Sequence, residues 1–367
     1  MKLSVPENIE TLVPYPPGKP LEELEREYGI TGSIKLASNE NALGPSPKAT
    51  AAIAKALDNL HRYPDGSCYY LANRLAEKLG VKPEELVFGN GSNEIIELLV
   101  STFLSPGEEV ITSHPTFLVY QKMVQSQGGV NVVVELNNLH HDLDAIAAKV
   151  TAKTRLIFLD NPNNPTGTVF TSQEFEAFLD KIPESVIVVL DEAYVDFVEP
   201  ALRMDAREFL NHRTPVVALR TFSKAYGLAG LRVGFGIMRP EIADYLHRLR
   251  QPFNVNTLAQ VGALACLDDE EHYQKTMTMT TEGIAWLQTE ITKLGCRPLS
   301  SQANFFLVDV GVSGKLLYEK MLSKGVIIRP MAAYGFPDYI RITVGLPEEN
   351  QRLLKALADS LEEFGTK

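Results

Sequence analysis

The sequence predicts an α/β fold in which a mainly parallel, seven-stranded sheet lies between helices and is followed by a smaller α+β domain. Three observations predict this. Between about Leu86 and Met238, seven short apolar runs alternate with helical segments. Most of these runs are continuous rather than alternating, as strands buried on both faces require. After Met238, long helical stretches with a few strands between them replace that alternation, the pattern of a separate α+β unit.

In chain order, residues 1–45 read as an N-terminal arm. Pro14-Tyr15-Pro16-Pro17-Gly18 is extended or turning, Leu21 to Tyr28 has the spacing of a short amphipathic helix, and Ser38-Asn39-Glu40-Asn41-Ala42-Leu43-Gly44-Pro45 reads as a loop. A large domain is expected over 46–250, opening on a helix around Ala49 to Leu57. Its seven runs lie near residues 86–88, 109–112, 130–135, 155–159, 186–190, 216–219 and 233–238. A small domain is expected over 251–367. It has helical spacing over about 257–267, 270–294 and 348–364, and strands near 304–308, 325–328 and 339–344.

Composition narrows the function classes. Hydrophobic residues at 45% and charged residues at 22% are globular values that exclude extended disorder. A net charge of -11 argues against nucleic acid as the main partner, because a phosphate backbone needs a basic face. It still permits a few arginines focused in a cleft to bind a small anion. Cys68, Cys266 and Cys296 are widely spaced, form no CxxC pair and fit a reducing cytoplasm. No His, Cys, Asp or Glu cluster has the spacing of a metal site. The first residues lack the apolar stretch of a secretory leader, and no run reaches the ~20 residues that span a bilayer. A cytoplasmic protein with no membrane segment is expected.

The chemistry stands where apolar strands end in polar residues. Leu156 to Leu159 runs into Asn161-Pro162-Asn163-Asn164-Pro165-Thr166-Gly167, and Val186 to Leu190 runs into Asp191-Glu192-Ala193-Tyr194. Val216 to Leu219 runs into Thr221-Phe222-Ser223-Lys224. Neighbouring strands thus deliver an amide, an acid and an amine to the end of the sheet where open α/β sheets bind ligands. An acid to pair a pyridinium nitrogen and a lysine to form a Schiff base are what pyridoxal phosphate asks of a protein.

Gly89-Asn90-Gly91-Ser92-Asn93-Glu94 joins a strand to an apolar helix. It reads either as a capped helix start or as a phosphate cradle built on free N–H groups. Ser223 and Arg232 favour the cradle, since a hydroxyl and a guanidinium can converge on a dianion. Arg329 and Arg341 each read as a surface ion pair or an anion clamp, and the apolar flanks of Arg341 favour the clamp. Asn39 and Asn41 read equally as turn formers. His114 reads as a core or loop histidine, and His140-His141 as an exposed loop.

With these blocks quoted, the chain resembles the fold-type I, class II aminotransferases, which use pyridoxal 5'-phosphate. Thr221 to Gly230 is similar to their lysine block, and Asn163 to Gly167 and Asp191 to Tyr194 to two further blocks in the family's order. Within the family, Leu36-Ala37-Ser38-Asn39-Glu40-Asn41, Arg62-Tyr63-Pro64-Asp65 and Tyr15 resemble the branch that acts on histidinol phosphate. The resemblance implies catalytic roles for Lys224, Asp191 and Tyr194. It implies cofactor contacts from Ser92, Asn93, Phe117, Asn164, Ser223 and Arg232, and from Tyr63 across a homodimer interface. Tyr15, Asn39, Arg329 and Arg341 would bind substrate, with histidinol phosphate as donor and 2-oxoglutarate, giving glutamate, as acceptor. Rival readings are an aromatic amino-acid transaminase, a decarboxylase relative, and a ligand-binding protein that has lost the chemistry. Intact Lys224, Asp191 and Asn164 weigh against the last.

Overall fold

The central apolar runs become strands because both of their faces are covered, and the edge run 130–135 is the more exposed one. The structure is a computed structural model and describes residues 4–14 and 18–365. The arm contributes β1 (Ile34–Lys35). The large sheet comprises β2 (Leu86–Gly89), β3 (Glu109–His114), β4 (Val130–Glu135), β5 (Thr154–Asp160), β6 (Ile187–Asp191), β7 (Val216–Thr221) and β8 (Gly234–Ile237). Their order is β2-β8-β7-β6-β5-β3-β4, and β8 alone runs against its neighbours.

In β5, Leu156 and Phe158 join an apolar layer with the helices Ser92–Phe103, Val119–Ser126 and Pro240–Leu249. Ile157 and Leu159 join the opposite layer with Pro47–Ala56, Tyr69–Leu79 and Ser172–Leu179. Two covered faces leave no position for an alternating polar residue. The helix Thr257–Cys266, expected with the small domain, buries Ala259, Ala263 and Cys266 in this second layer instead.

The remaining strands are β9 (Arg297–Pro298), β10 (Phe305–Asp309), β11 (Val326–Ile327), β12 (Arg329–Pro330) and β13 (Tyr339–Thr343). The antiparallel sheet β12-β13-β10-β9 packs under the helices Glu270–Lys293, Gly314–Ser323 and Pro347–Glu362. The strand expected near 325–328 forms as β11 over Val326–Ile327, and β12 at Arg329–Pro330 is a further strand just beyond it with a different partner. β11 pairs in parallel with β1, which seats the arm on this unit, and β12 turns to pair with β13. Pro330, which has no N–H to donate, fits the sheet edge there. The arm also reaches the large sheet's layer, where the Asn8 side chain donates to the carbonyls of Gln125 and Ser126.

Strand direction positions the site. The C-terminal ends of β2, β3, β5, β6 and β7 lie along one side of the sheet. Because β8 is reversed, its entrance lies there too, with Gly234 opposite both Gly89 and Thr221. Arg232 is thereby carried to the same edge as Asp160, Asp191 and Lys224.

Candidate active site

A cleft of about 210 Å³ opens at this edge, with Lys224, Asp191, Asn164, Tyr194, Phe117 and Arg232 among its walls. Asp191 ends β6, is 5% exposed, and accepts bonds from the Tyr120 hydroxyl (2.8 Å) and the Ala193 N–H (3.0 Å). Burial pushes its carboxyl up to about 7, and the Asp160 charge adds to this, whereas the bond from Tyr120 opposes it. A buried carboxylate bonded only by a hydroxyl and a backbone N–H is poised for a positive partner.

Lys224 faces it from the loop after β7. Burial, and next the charge of Arg341, hold its amine down to about 8. Its Nζ donates to the Ser38 carbonyl at 3.2 Å and sits 5.7 Å over the Tyr194 ring. A lysine so desolvated carries a large neutral fraction near pH 8, the form that attacks a carbonyl. Burial also pushes the Tyr194 hydroxyl up.

Asn164 is held by its backbone N–H, which donates to Asp160 Oδ2 at 2.8 Å. Its side-chain oxygen accepts from Arg341 Nη1 at 2.5 Å. Arg341 is 5% exposed, donates through Nη2 to the Ala37 carbonyl at 2.9 Å and lies 5.0 Å over the Phe305 ring. It therefore ties the antiparallel sheet, the arm and the Asn164 loop together at the cleft. Arg329 is its register partner on β12, so both side chains leave the same face of that sheet.

At the other end, Ser92 and Asn93 open the helix Ser92–Phe103, and Ser223 and Arg232 stand beside them. Arg232 Nη1 lies 3.4 Å from Ser223 Oγ and donates to the Ala229 carbonyl at 3.2 Å. A Cβ on Gly91, where φ is +81°, would fall 2.4 Å from Arg232 Nη2, and one on Gly234 would fall 2.4 Å from the Ser92 nitrogen. Two side-chain-free positions thus keep open a cradle of N–H, hydroxyl and guanidinium groups that suits a phosphate. Pyridoxal phosphate fits these residues at both ends. The cradle would suit its phosphate, and a protonated ring nitrogen would give Asp191 the positive partner that its burial calls for.

Other expected residues stand elsewhere. Asn39, at φ +54°, is buried, and its side-chain amide donates to the Tyr194 hydroxyl (2.9 Å) while its Oδ1 accepts from Thr343 (2.9 Å). Asn41 both makes a turn, accepting from the Leu43 N–H, and donates to the Ala225 carbonyl beside Lys224. Tyr63 does not line this chain's cleft. It is 83% exposed and stacks on Phe253 at 5.0 Å. Tyr15 lies outside the described residues. His140 is exposed as expected, but the side chain of His141 is only 2% exposed, because it turns inward to Asp160 and Ser113. Sequence reasoning missed Tyr120 and Asp160. The signal for Tyr120 was a tyrosine three residues after Phe117 in an apolar stretch, where a buried hydroxyl must find an acceptor. Among the described residues, no group of His, Cys, Asp and Glu could hold a metal.

Residues 31–357 match the family model for aminotransferases of class I and II. A histidinol-phosphate aminotransferase of Desulfotalea psychrophila is 58% identical over 99% of this chain and 97% of its own length. One from an Anaeromyxobacter species is 50% identical over 96% and 98%. The crystal structure of histidinol-phosphate aminotransferase from Sinorhizobium meliloti, in complex with pyridoxal-5'-phosphate, superposes with a TM-score of 0.91 at 28% identity, covering 98% of each chain.

Proposed function

The chain belongs to the class I and II aminotransferases, and on that premise we propose that it moves the amino group of histidinol phosphate to 2-oxoglutarate. It is a transaminase that works with pyridoxal 5'-phosphate. The observation that carries the reading is one cleft holding a desolvated lysine and a desolvated aspartate, with the buried Arg341 bonded to the Asn164 side chain in its wall. Identities of 58% and 50% to histidinol-phosphate aminotransferases support the donor.

When bound, pyridoxal phosphate supplies an electron sink for the pair left as the donor's Cα–H bond breaks. Asp191 would hold the proton on the ring nitrogen, Asn164 and Tyr194 would hold the ring hydroxyl oxygen, and Phe117 would cover the ring. Ser92, Asn93, Ser223 and Arg232 hold the phosphate, with Tyr63 reaching it from a second copy in a homodimer. Lys224 Nζ takes the proton from the donor's Cα and returns one in the reverse half-reaction. Arg341 binds the donor's phosphate in one half-reaction and a glutamate carboxylate in the other, with Arg329 and Tyr15 assisting on the phosphate. Asn39 acts on substrate through Tyr194, which it holds.

The arm, large part and small part divide the chain, with the helix Thr257–Cys266 counted in the large part because of its packing. The protein works in the cytoplasm, a setting that its three free, buried cysteines fit. No helix among the described residues is long and apolar enough to cross a membrane.

Stopped-flow measurement of each half-reaction tests the reading. Removing one charge-assisted bond to a buried anion costs ~1.5–3 kcal/mol, roughly ten- to a hundredfold in rate. Arg341→Ala should lose that much in both half-reactions, whereas Arg329→Ala should lose more with histidinol phosphate than with glutamate. A wild-type preference for phenylalanine or tyrosine over histidinol phosphate would replace this donor with an aromatic one.

A further inference from the structure

Asp160 is not among the residues assigned a role above, yet it is the most heavily bonded carboxylate beside the cleft. It ends β5 directly opposite Asp191 in the register and is almost fully buried. Its Oδ1 accepts from Thr116 Oγ1 (2.7 Å), Asn163 Nδ2 (3.0 Å) and His141 Nε2 (3.0 Å), and its Oδ2 accepts from the Asn164 N–H (2.8 Å). His141 Nε2 also faces the Asp160 carbonyl at 3.0 Å. Two oxygen acceptors around one ring nitrogen place the proton there, and Nδ1 meets the Ser113 hydroxyl at 2.6 Å.

The four donors come from three stretches of chain, Asn163 and Asn164 being neighbours. Thr116 immediately precedes Phe117, which lines the cleft, and Asn164 carries the amide that meets Arg341. One carboxylate therefore fixes the segment bearing the ring-stacking residue and the loop bearing the amide, next to the strand end that bears Asp191. His141, which does not line the cleft, clamps that carboxylate.

We infer that Asp160, oriented by His141, is a positioning residue that sets Asn164 and Phe117 against the cofactor ring and so tunes the bound cofactor. This rests on the cleft being the pyridoxal phosphate site. Asp160→Asn keeps the shape but turns an N–H₂ toward groups that are themselves donors, which must then move. His141→Phe removes the clamp and keeps the ring volume, whereas His141→Gln restores a donor near the Nε2 position.

The experiment takes wild-type protein and the three variants, each titrated with pyridoxal phosphate. It reads cofactor affinity and the midpoint of the pH titration of the bound cofactor's visible absorbance, with urea unfolding alongside. Displacing Asn164 weakens support for the ring oxygen's charged form, so Asp160→Asn and His141→Phe should raise the midpoint by ~1 unit. They should also lower kcat roughly tenfold, and His141→Gln should bring both values back toward wild type. A purely structural role would instead lower unfolding midpoints and leave the absorbance midpoint where it is, and that result overturns the inference. If Asp160→Asn does not fold, the two His141 variants decide, and equal behaviour of Phe and Gln there counts against it. Wild-type protein that develops no cofactor absorbance would sink the cleft assignment itself, a separate failure from unchanged variants of a protein that binds normally.

Discussion

Burial acts in opposite senses on the two groups that face each other across the cleft, raising the carboxyl of Asp191 to about 7 and lowering the amine of Lys224 to about 8. Each is costly to the cofactor-free fold. For Asp191 the sign is definite. Its native value lies above the ordinary 3.8, so the native state keeps a proton that the unfolded chain has lost, and stability falls as pH rises from about 4 to about 7. The loss is on the order of 4 kcal/mol and is fully present above that window. Asp191→Asn removes the titrating group. Cofactor-free Asp191→Asn should therefore resist urea better than wild type at pH 8, with the gap closing toward pH 4. The same variant, loaded with cofactor, should lose kcat by orders of magnitude, because no charge then holds the ring nitrogen's proton. Urea melts of both cofactor-free proteins across that range check it, and parallel pH profiles would mean that Asp191 is not the group responsible. Lys224, Asp191 and Asn164 were legible in the sequence because each interrupts an apolar run at a strand end. Asp160 and His141 were not, since the Thr116 and Asp160 partners lie 44 and 19 residues away, and Tyr120 was marked only by its apolar stretch, with its acceptor 71 residues on.

At the scale of elements, the phosphate cradle depends on the geometry of a helix start as much as on its charges. Gly91 has φ +81° and Arg232 φ +57°, a region that costs a residue with a Cβ about 1–2 kcal/mol. Arg232 bears that cost where its guanidinium lies over the helix N-terminus, and Gly91 gives it room. Gly91→Ala should force Arg232 aside and weaken pyridoxal phosphate binding by roughly ten- to a hundredfold. Pyridoxal without its phosphate should be affected far less, so parallel fluorescence titrations with the two compounds give the check. Equal losses for both would place the phosphate elsewhere. The strands of the large sheet were legible because burial on both faces leaves a continuous apolar signature. The change of partner between β11, which answers the strand expected near 325–328, and β12 just beyond it was not, because it is set by the arm strand β1, which lies far away in sequence and is only two residues long. The helix Thr257–Cys266 likewise looks the same in sequence whichever sheet it covers.

At the scale of the molecule, one chain leaves an apolar surface uncovered. Tyr63 and Tyr70 are more than two-thirds exposed, Leu57, Leu60 and Tyr69 about half exposed, and Tyr63 rests on a Phe253 that is itself 45% exposed. The segments carrying them are tied together, since Arg250 donates to the Gly66 carbonyl and Gln260 to that of Asp65. Exposed apolar and aromatic side chains in this number are what the proposed homodimer would cover. A twofold dimer that buries them would offer the Tyr63 of each copy to the cleft of the other, consistent with a tyrosine that lines no cleft of its own chain. Mixing inactive subunits distinguishes the two arrangements. A Lys224→Ala subunit keeps its Tyr63, and a Tyr63→Ala subunit keeps its Lys224. If the tyrosine crosses, each heterodimer contains one site with neither lesion. Random exchange of subunits then restores roughly a quarter of wild-type activity, because half the dimers are mixed and each has one intact site. If the tyrosine serves its own chain, every site carries a lesion and mixing restores nothing. The measurement requires that Tyr63→Ala alone be clearly impaired, which a weaker hold on the cofactor phosphate would cause. Full activity in a monomer at assay concentration would overturn the shared site altogether.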